Sequence, residues 1–189
     1  MIDTLIENIK KKINLTLDET EQLFDKIFNG EVDTNSLTSL LDALDKKGET
    51  PDELAGATTS MRKNSKSIDV NHNQVIDCCG TGGLGKKMIN VSTSVSFVLA
   101  AAGLKVAKHG NRTATGKSGS ADFLEAAGIN LNESSEYFSD SLDKIGLGFL
   151  FAQNHHPGMK YVMEARRILG KKTIFNLLGP LSNPAGANI

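Results

Sequence analysis

Apolar positions in the first 65 residues recur every three or four places. Ile2, Leu5, Ile6, Ile9 and Ile13 would share one face of a helix. Thr16 followed by Glu19 is a capping box, and it opens a second helix carrying Leu23, Phe24, Ile27 and Phe28 on one side. Gly30 supplies the stop. Leu37, Leu40, Leu41 and Leu44 mark a third helix that ends at Gly48. Thr50, Pro51 and Glu53 combine an N-cap, a first-position proline and a reciprocal acid, and the helix they open runs to about Met61. Four short helices with narrow apolar faces predict a small bundle that needs another surface to cover it. A dimer interface is one use for that face.

The pattern then changes. Residues 64–73 are polar and without period, so they read as a linker. Beyond them short apolar runs alternate with helical periodicity. Strands are expected over 74–79, 104–108 and 147–152, and helices over 91–103, 120–128, 134–145 and 159–169. In the helix over 91–103, Val95, Val98, Leu99 and Ala102 are expected to face inward. Such alternation predicts βαβ units and a mostly parallel sheet, with ligands at the carboxyl ends of its strands. The predicted class is therefore α/β: a small all-helical domain over 1–65, a linker over 66–73, and part of an α/β domain over 74–189.

Composition narrows the setting. The 189 residues are 39% apolar and 23% charged, with a net charge of −1. Such a balance gives no reason to expect a nucleic-acid partner. The amino-terminal stretch lacks the apolar core of a signal peptide, and no run is long enough to span a bilayer, so a cytoplasmic protein is expected. Cys78 and Cys79 are adjacent, a spacing that suits neither a zinc knuckle nor a redox pair, and small buried thiols are expected there.

Charge and glycine are unevenly distributed. Half of the eighteen glycines fall between Gly80 and Gly128, and from Thr81 to Ala121 there are six Lys or Arg and no Asp or Glu. A basic, glycine-rich segment in a neutral chain suggests a site for a concentrated anion. Gly80, Thr81, Gly82 and Gly83 follow a predicted strand, where backbone without Cβ atoms can come close to a phosphate. The run lacks the ending of a Walker loop and the spacing of a dinucleotide fingerprint. Asn90, Ser92 and Thr93 stand at a helix start, where free N–H groups favour an anion, though Ser92 could equally cap the helix. Lys108, His109, Asn111 and Arg112 begin where a strand ends. Arg112 could grip a phosphate or brace the loop. Gly116 to Asp122 repeats the device ahead of another helix, and Asp122 fits a cap there better than a catalytic role. His155 and His156 could suggest a metal, but their adjacency ahead of Pro157 favours loop structure.

The motifs GTGG, NVST, KHGNR and GSAD, in this order and spacing, resemble those of the anthranilate phosphoribosyltransferases. GETPDEL, FLFAQNHHPGMK and RRILGKKTIFNLLGPLSNPA extend the resemblance over essentially the whole chain and away from the pyrimidine nucleoside phosphorylases. It implies transfer of phosphoribosyl from phosphoribosyl pyrophosphate to the anthranilate amine with Mg²⁺, in a homodimer paired through the helical domain. It implies that Gly80, Thr81, Gly82, Gly83, Asn90, Ser92, Thr93, Lys108 and Ser120 serve the donor, with Ser92 a Mg²⁺ ligand. Gly80, His109, Asn111 and Arg166 would form the anthranilate side, Arg166 pairing with its carboxylate. Lys108, His109 and Arg166 are the catalytic candidates, His109 as a general base or as a stacking and hydrogen-bonding group.

Three departures stand against that family's pattern. Leu84 replaces an expected Asp, Met88 replaces an expected Thr, and the acidic pair that would hold Mg²⁺ is absent. The chain is thus expected to be an amino-terminal portion, poorly active by itself. The alternatives are a non-catalytic paralogue that binds a phosphorylated metabolite or nucleic acid, and a pyrimidine nucleoside phosphorylase.

Overall fold

A computed structural model of the chain describes residues 2–82, 89–113, 118–132 and 134–189. In chain order its elements are α1 (Ile2–Lys10), α2 (Leu17–Phe28), α3 (Thr34–Lys47), α4 (Pro51–Lys63), α5 (Val91–Ala101), β1 (Val106–Gly110), α6 (Ser120–Ala126), α7 (Ser135–Ile145), β2 (Leu147–Phe151) and α8 (Ala152–His155). A 3₁₀ turn over Pro157–Tyr161, then α9 (Met163–Leu169) and α10 (Ile174–Leu181), complete the set. Packing gathers them into two units. One comprises Met1–Ser65 with His156–Ser182, the other Lys66–His155 with Asn183–Ile189.

In the helical unit the expected caps form. Thr16 and Thr50 each accept from the backbone N–H three residues on, while Glu19 and Glu53 reach back to close the boxes. The apolar faces of α1 to α4 meet through Leu5, Ile9, Leu23, Phe24, Leu37, Leu41 and Met61. What covers them is the same chain. Val162, Ala165, Ile174, Phe175 and Leu178 join that core, and the Phe175 ring lies 5.7 Å from Phe24 and 6.1 Å from Phe28. Packing thus groups residues 156–182 with these helices, although in sequence they follow the α/β part. Inside this unit Glu53 is wholly buried, paired to Lys47 at 2.8 Å.

In the α/β unit β1 and β2 run parallel in register from Val106↔Leu147 to Gly110↔Phe151. α7 covers one face, where Phe138 and Leu142 pack on Val75, Ala107 and Leu150. The strand expected over 74–79 shrinks to a single parallel bridge, Ile76 to Val106. The cause is a side chain. His109 N, which a longer ladder would use, donates instead to Asp77 Oδ1 at 3.1 Å, and the same oxygen accepts from Cys79 N at 3.0 Å. On its other side this segment is met by residues 188 and 189: Asn188 N and Ile189 N donate to Val75 O, and Asp77 N donates to Ile189 O.

A second expectation fails at α5. Thr93 and Ser96 are its buried residues, while Val95 and Val98 are exposed. Apolar side chains surround this helix, so the face that periodicity suggested is not the one buried; polar residues of its first two turns are turned inward.

Candidate functional site

The motif residues of the α/β unit collect where its strands end. β1 delivers Lys108 and His109, both only 3% exposed, and Asn111 follows on the surface. Gly80, Thr81 and Gly82 are exposed beyond the Ile76 bridge. Gly83, Leu84 and Met88, together with Gly116 and Lys117, lie outside the described residues.

Asn90 occupies the N-cap position of α5, and its side chain does not cap its own helix. Its Nδ2 donates to Ser118 Oγ at 3.0 Å and to Gly119 O at 3.3 Å, tying the start of α5 to the approach of α6. Ser92 is half-buried in the first turn. Thr93 is 1% exposed, and its Oγ1 has no hydrogen-bond partner among the described residues. Such an atom forfeits its hydration unless a ligand or solvent supplies a bond.

The loop after β1 is fixed by close packing. A Cβ on Gly110 would collide with Ser120 Oγ and the Phe149 ring, and one on Gly119 with the backbone at Asn111 and Thr113. Ser120 Oγ donates to Asn111 O at 3.4 Å. Asp122 caps α6 by accepting from Gly119 N at 2.8 Å, and it accepts from Thr113 N at 2.9 Å; these backbone bonds hold its carboxyl below the usual range. Arg112 is a brace. Its guanidinium forks onto Glu125 at 2.6 and 2.8 Å and lies 5.6 Å from the Phe151 ring centre.

Lys108 is a buried cation of this unit. Among the described residues it makes no ion pair, and it donates one long bond, 3.5 Å, to the His109 carbonyl. It shares the wall of a cleft of about 540 Å³ with Thr93 and Ser96.

Asp77 has no role in the sequence reading, yet it is the hub of the unit. Besides its two backbone donors it accepts from Asn183 Nδ2 at 2.8 Å, and the same nitrogen reaches Ala107 O at 2.8 Å. Burial pushes the Asp77 carboxyl up, more strongly than these donors and the nearby Lys108 charge pull it down. A carboxylate at a strand's carboxyl end, leading into a glycine turn, was the signal that could have found it. The cysteines are half-buried rather than buried. Burial raises both thiols, Cys79 to about 11. His155 belongs to this unit, its Nδ1 2.9 Å from Lys66 O and its basicity lowered by burial, whereas His156 is buried in the helical unit.

Arg166 belongs to the other unit of the chain. It lies on α9, in the helical unit, with its guanidinium 5.9 Å from the Phe175 ring centre and Nη2 3.4 Å from Asn176 Oδ1. Burial lowers its pKa.

Residues 72–189 match the glycosyl transferase family α/β domain, and residues 3–65 match the helical bundle domain of the same family. The chain belongs to that glycosyl transferase family. Among relatives it is 47% identical over 188 residues to an anthranilate phosphoribosyltransferase of Desulfatibacillum aliphaticivorans, covering all of this chain and 56% of the relative. The enzyme of Vibrio vulnificus strain CMCP6 is also 47% identical, with 57% of its length covered. The chain thus spans little more than half of the curated relatives it matches. The crystal structure of anthranilate phosphoribosyltransferase from Thermus thermophilus superposes with a TM-score of 0.92 at 41% identity, over 97% of this chain and 56% of that one. The Saccharomyces cerevisiae enzyme in complex with PRPP and Mg gives a TM-score of 0.83 at 28% identity, over 96% and 55%. No helix among the described residues is long and apolar enough to cross a membrane.

Proposed function

We propose that this chain carries the phosphoribosyl-donor side of an anthranilate phosphoribosyltransferase. One observation carries the reading: a buried ammonium without an ion pair among the described residues, and a buried hydroxyl without a partner among them, share the wall of one cleft. A polyanion supplies what both lack. In the reaction the anthranilate amine attacks C1 of the ribose and pyrophosphate leaves with the bonding electrons. Lys108 and the first-turn N–H groups of α5, with Thr93 Oγ1, meet charge that grows on the leaving group, and so favour the transition state over the bound donor. Gly80, Thr81, Gly82, Gly83, Asn90, Ser92 and Ser120 complete the donor side in this reading, and His109, Asn111 and Arg166 the anthranilate side.

Magnesium belongs to this reading as a companion of the donor, where it would neutralise phosphate charge. The residues described do not build a site for it alone. Ser92 offers one hydroxyl, and among the described residues no trio of oxygen ligands gathers. Magnesium asks for near-octahedral oxygen coordination, so no step is derived through it.

The same reading includes a cytoplasmic homodimer paired through the helical unit, for which the exposed Ile13 and Leu17 offer apolar surface. Calorimetric titration with phosphoribosyl pyrophosphate tests the donor assignment. Binding is expected, with Lys108→Ala weakening it at least about tenfold, the scale of a lost charge-assisted bond. No heat with the parent chain, or equal affinity in the variant, overturns it. Binding of single-stranded DNA with a steep salt dependence would instead favour a non-catalytic paralogue.

A further inference from the structure

Asp77, Cys79 and His109 bring together one oxygen, one sulfur and one nitrogen, all within 4.8 Å of one another. They come from two chain segments. Asp77 and Cys79 lie two residues apart on the extended stretch beyond the Ile76 bridge, and His109 is on β1. A tetrahedral ion with bonds of about 2.0–2.3 Å needs donors about 3.3–3.8 Å apart, a spacing that small side-chain rotations would reach. From these positions we infer that Asp77, Cys79 and His109 form a binding site for a borderline-soft divalent cation of the zinc class.

The surroundings support that class. A mixed O, S, N set suits zinc and its neighbours, whereas magnesium and calcium take oxygen alone. Lys108 lies near enough for its charge to act on both Asp77 and Cys79. It opposes any cation there, so an ion held by charge alone gains little, while one bonded to thiolate and imidazole is retained. The carboxylate is already aimed. Two backbone N–H groups occupy Oδ1 and Asn183 Nδ2 donates to Oδ2, which fixes the carboxylate and leaves a lone pair on Oδ2 for the ion. The neighbouring Gly80 is exposed and Cys79 half-buried, which gives an entry path and a fourth position for solvent. A bound ion would pin the glycine turn to β1.

The inference uses neither phosphoribosyl pyrophosphate nor anthranilate, so its test is separate from that of the proposed function. Chelator-treated protein is titrated with Co²⁺, and a thiolate-to-metal charge-transfer band is expected to saturate at one ion per chain. Competition with a chromophoric chelator then measures Zn²⁺ affinity. Cys79→Ser should abolish the band and weaken Zn²⁺ at least about tenfold. Asn183→Ala, which removes the donor to Asp77 Oδ2, should weaken Zn²⁺ by about tenfold, the usual scale for a residue that orients a ligand. Cys78→Ser should leave both readouts unchanged. Absence of the band, survival of the band in Cys79→Ser, or an equal loss in Cys78→Ser would each overturn the site.

Discussion

Glu53 is a buried carboxyl and Asp77 a half-buried one, and their surroundings drive them in opposite directions. Burial is the largest influence on each. At Glu53 it is outweighed by the Lys47 ammonium at 2.8 Å together with the N–H groups of Leu15 and Thr50, both at 2.9 Å, so the net shift is down. Asp77 has three neutral donors and, among the described residues, no ion pair, and burial wins. The capping role of Glu53 was plain in the sequence, because its partner Thr50 is three residues away. The ion pair was not, since nothing in the local pattern says that Lys47 and the Leu15 backbone converge there. Glu53→Gln leaves Lys47 buried without its counter-charge, and should cost about 3 kcal/mol in urea unfolding at neutral pH. The folded-state value lies below the ordinary 4.5, so the carboxylate's contribution is complete above that pH and is lost as pH falls through the folded value. The gap between parent and variant should therefore narrow in acid.

Helices 1 to 4 were legible because caps and periodicity are local signals. α5 was not, because a helix apolar on every side carries no information about which face the sheet will take. The structure buries Thr93 and Ser96 and leaves Val98 67% exposed. Val98→Lys should thus change unfolding free energy by no more than about 0.5 kcal/mol. Had Val98 faced the core, as periodicity suggested, the charge would cost several times that amount, and a urea midpoint decides between the two. The first strand failed for a related reason. QVIDCC has the composition of a strand, but the Asp77 carboxylate takes the N–H of His109 and of Cys79, and the ladder stops at one bridge. A side chain acting as a backbone acceptor is invisible to a pattern of apolar alternation. The same carboxylate is absent from the sequence reading of the site, which named Lys108, Thr93 and Asn90 from their motifs.

At the scale of the molecule, the two units are not two consecutive stretches of chain. Family resemblance divides the sequence near residues 65–72, whereas packing returns residues 156–182 to the helical unit. The sequence could not reveal this, because α10 brings Phe175 against Phe24 and Phe28 from about 150 positions away. Residues 1–65 prepared alone lack the Phe175 ring. Removing one such aromatic from a core costs about 3–5 kcal/mol, so the isolated segment should unfold at a much lower urea concentration than the whole chain, as followed by far-ultraviolet circular dichroism. The hydrogen bonds from residues 188 and 189 to Val75 and Asp77 have a consequence in time. On the ribosome some 110 residues must follow Asp77 before its neighbour exists, on the order of ten seconds at ordinary elongation rates. Throughout that wait one side of the Ile76 segment has no such neighbour, and the helical bundle too is waiting for α10. A nascent chain of this protein therefore offers chaperones two unfinished surfaces at once, and both close within a few residues of each other.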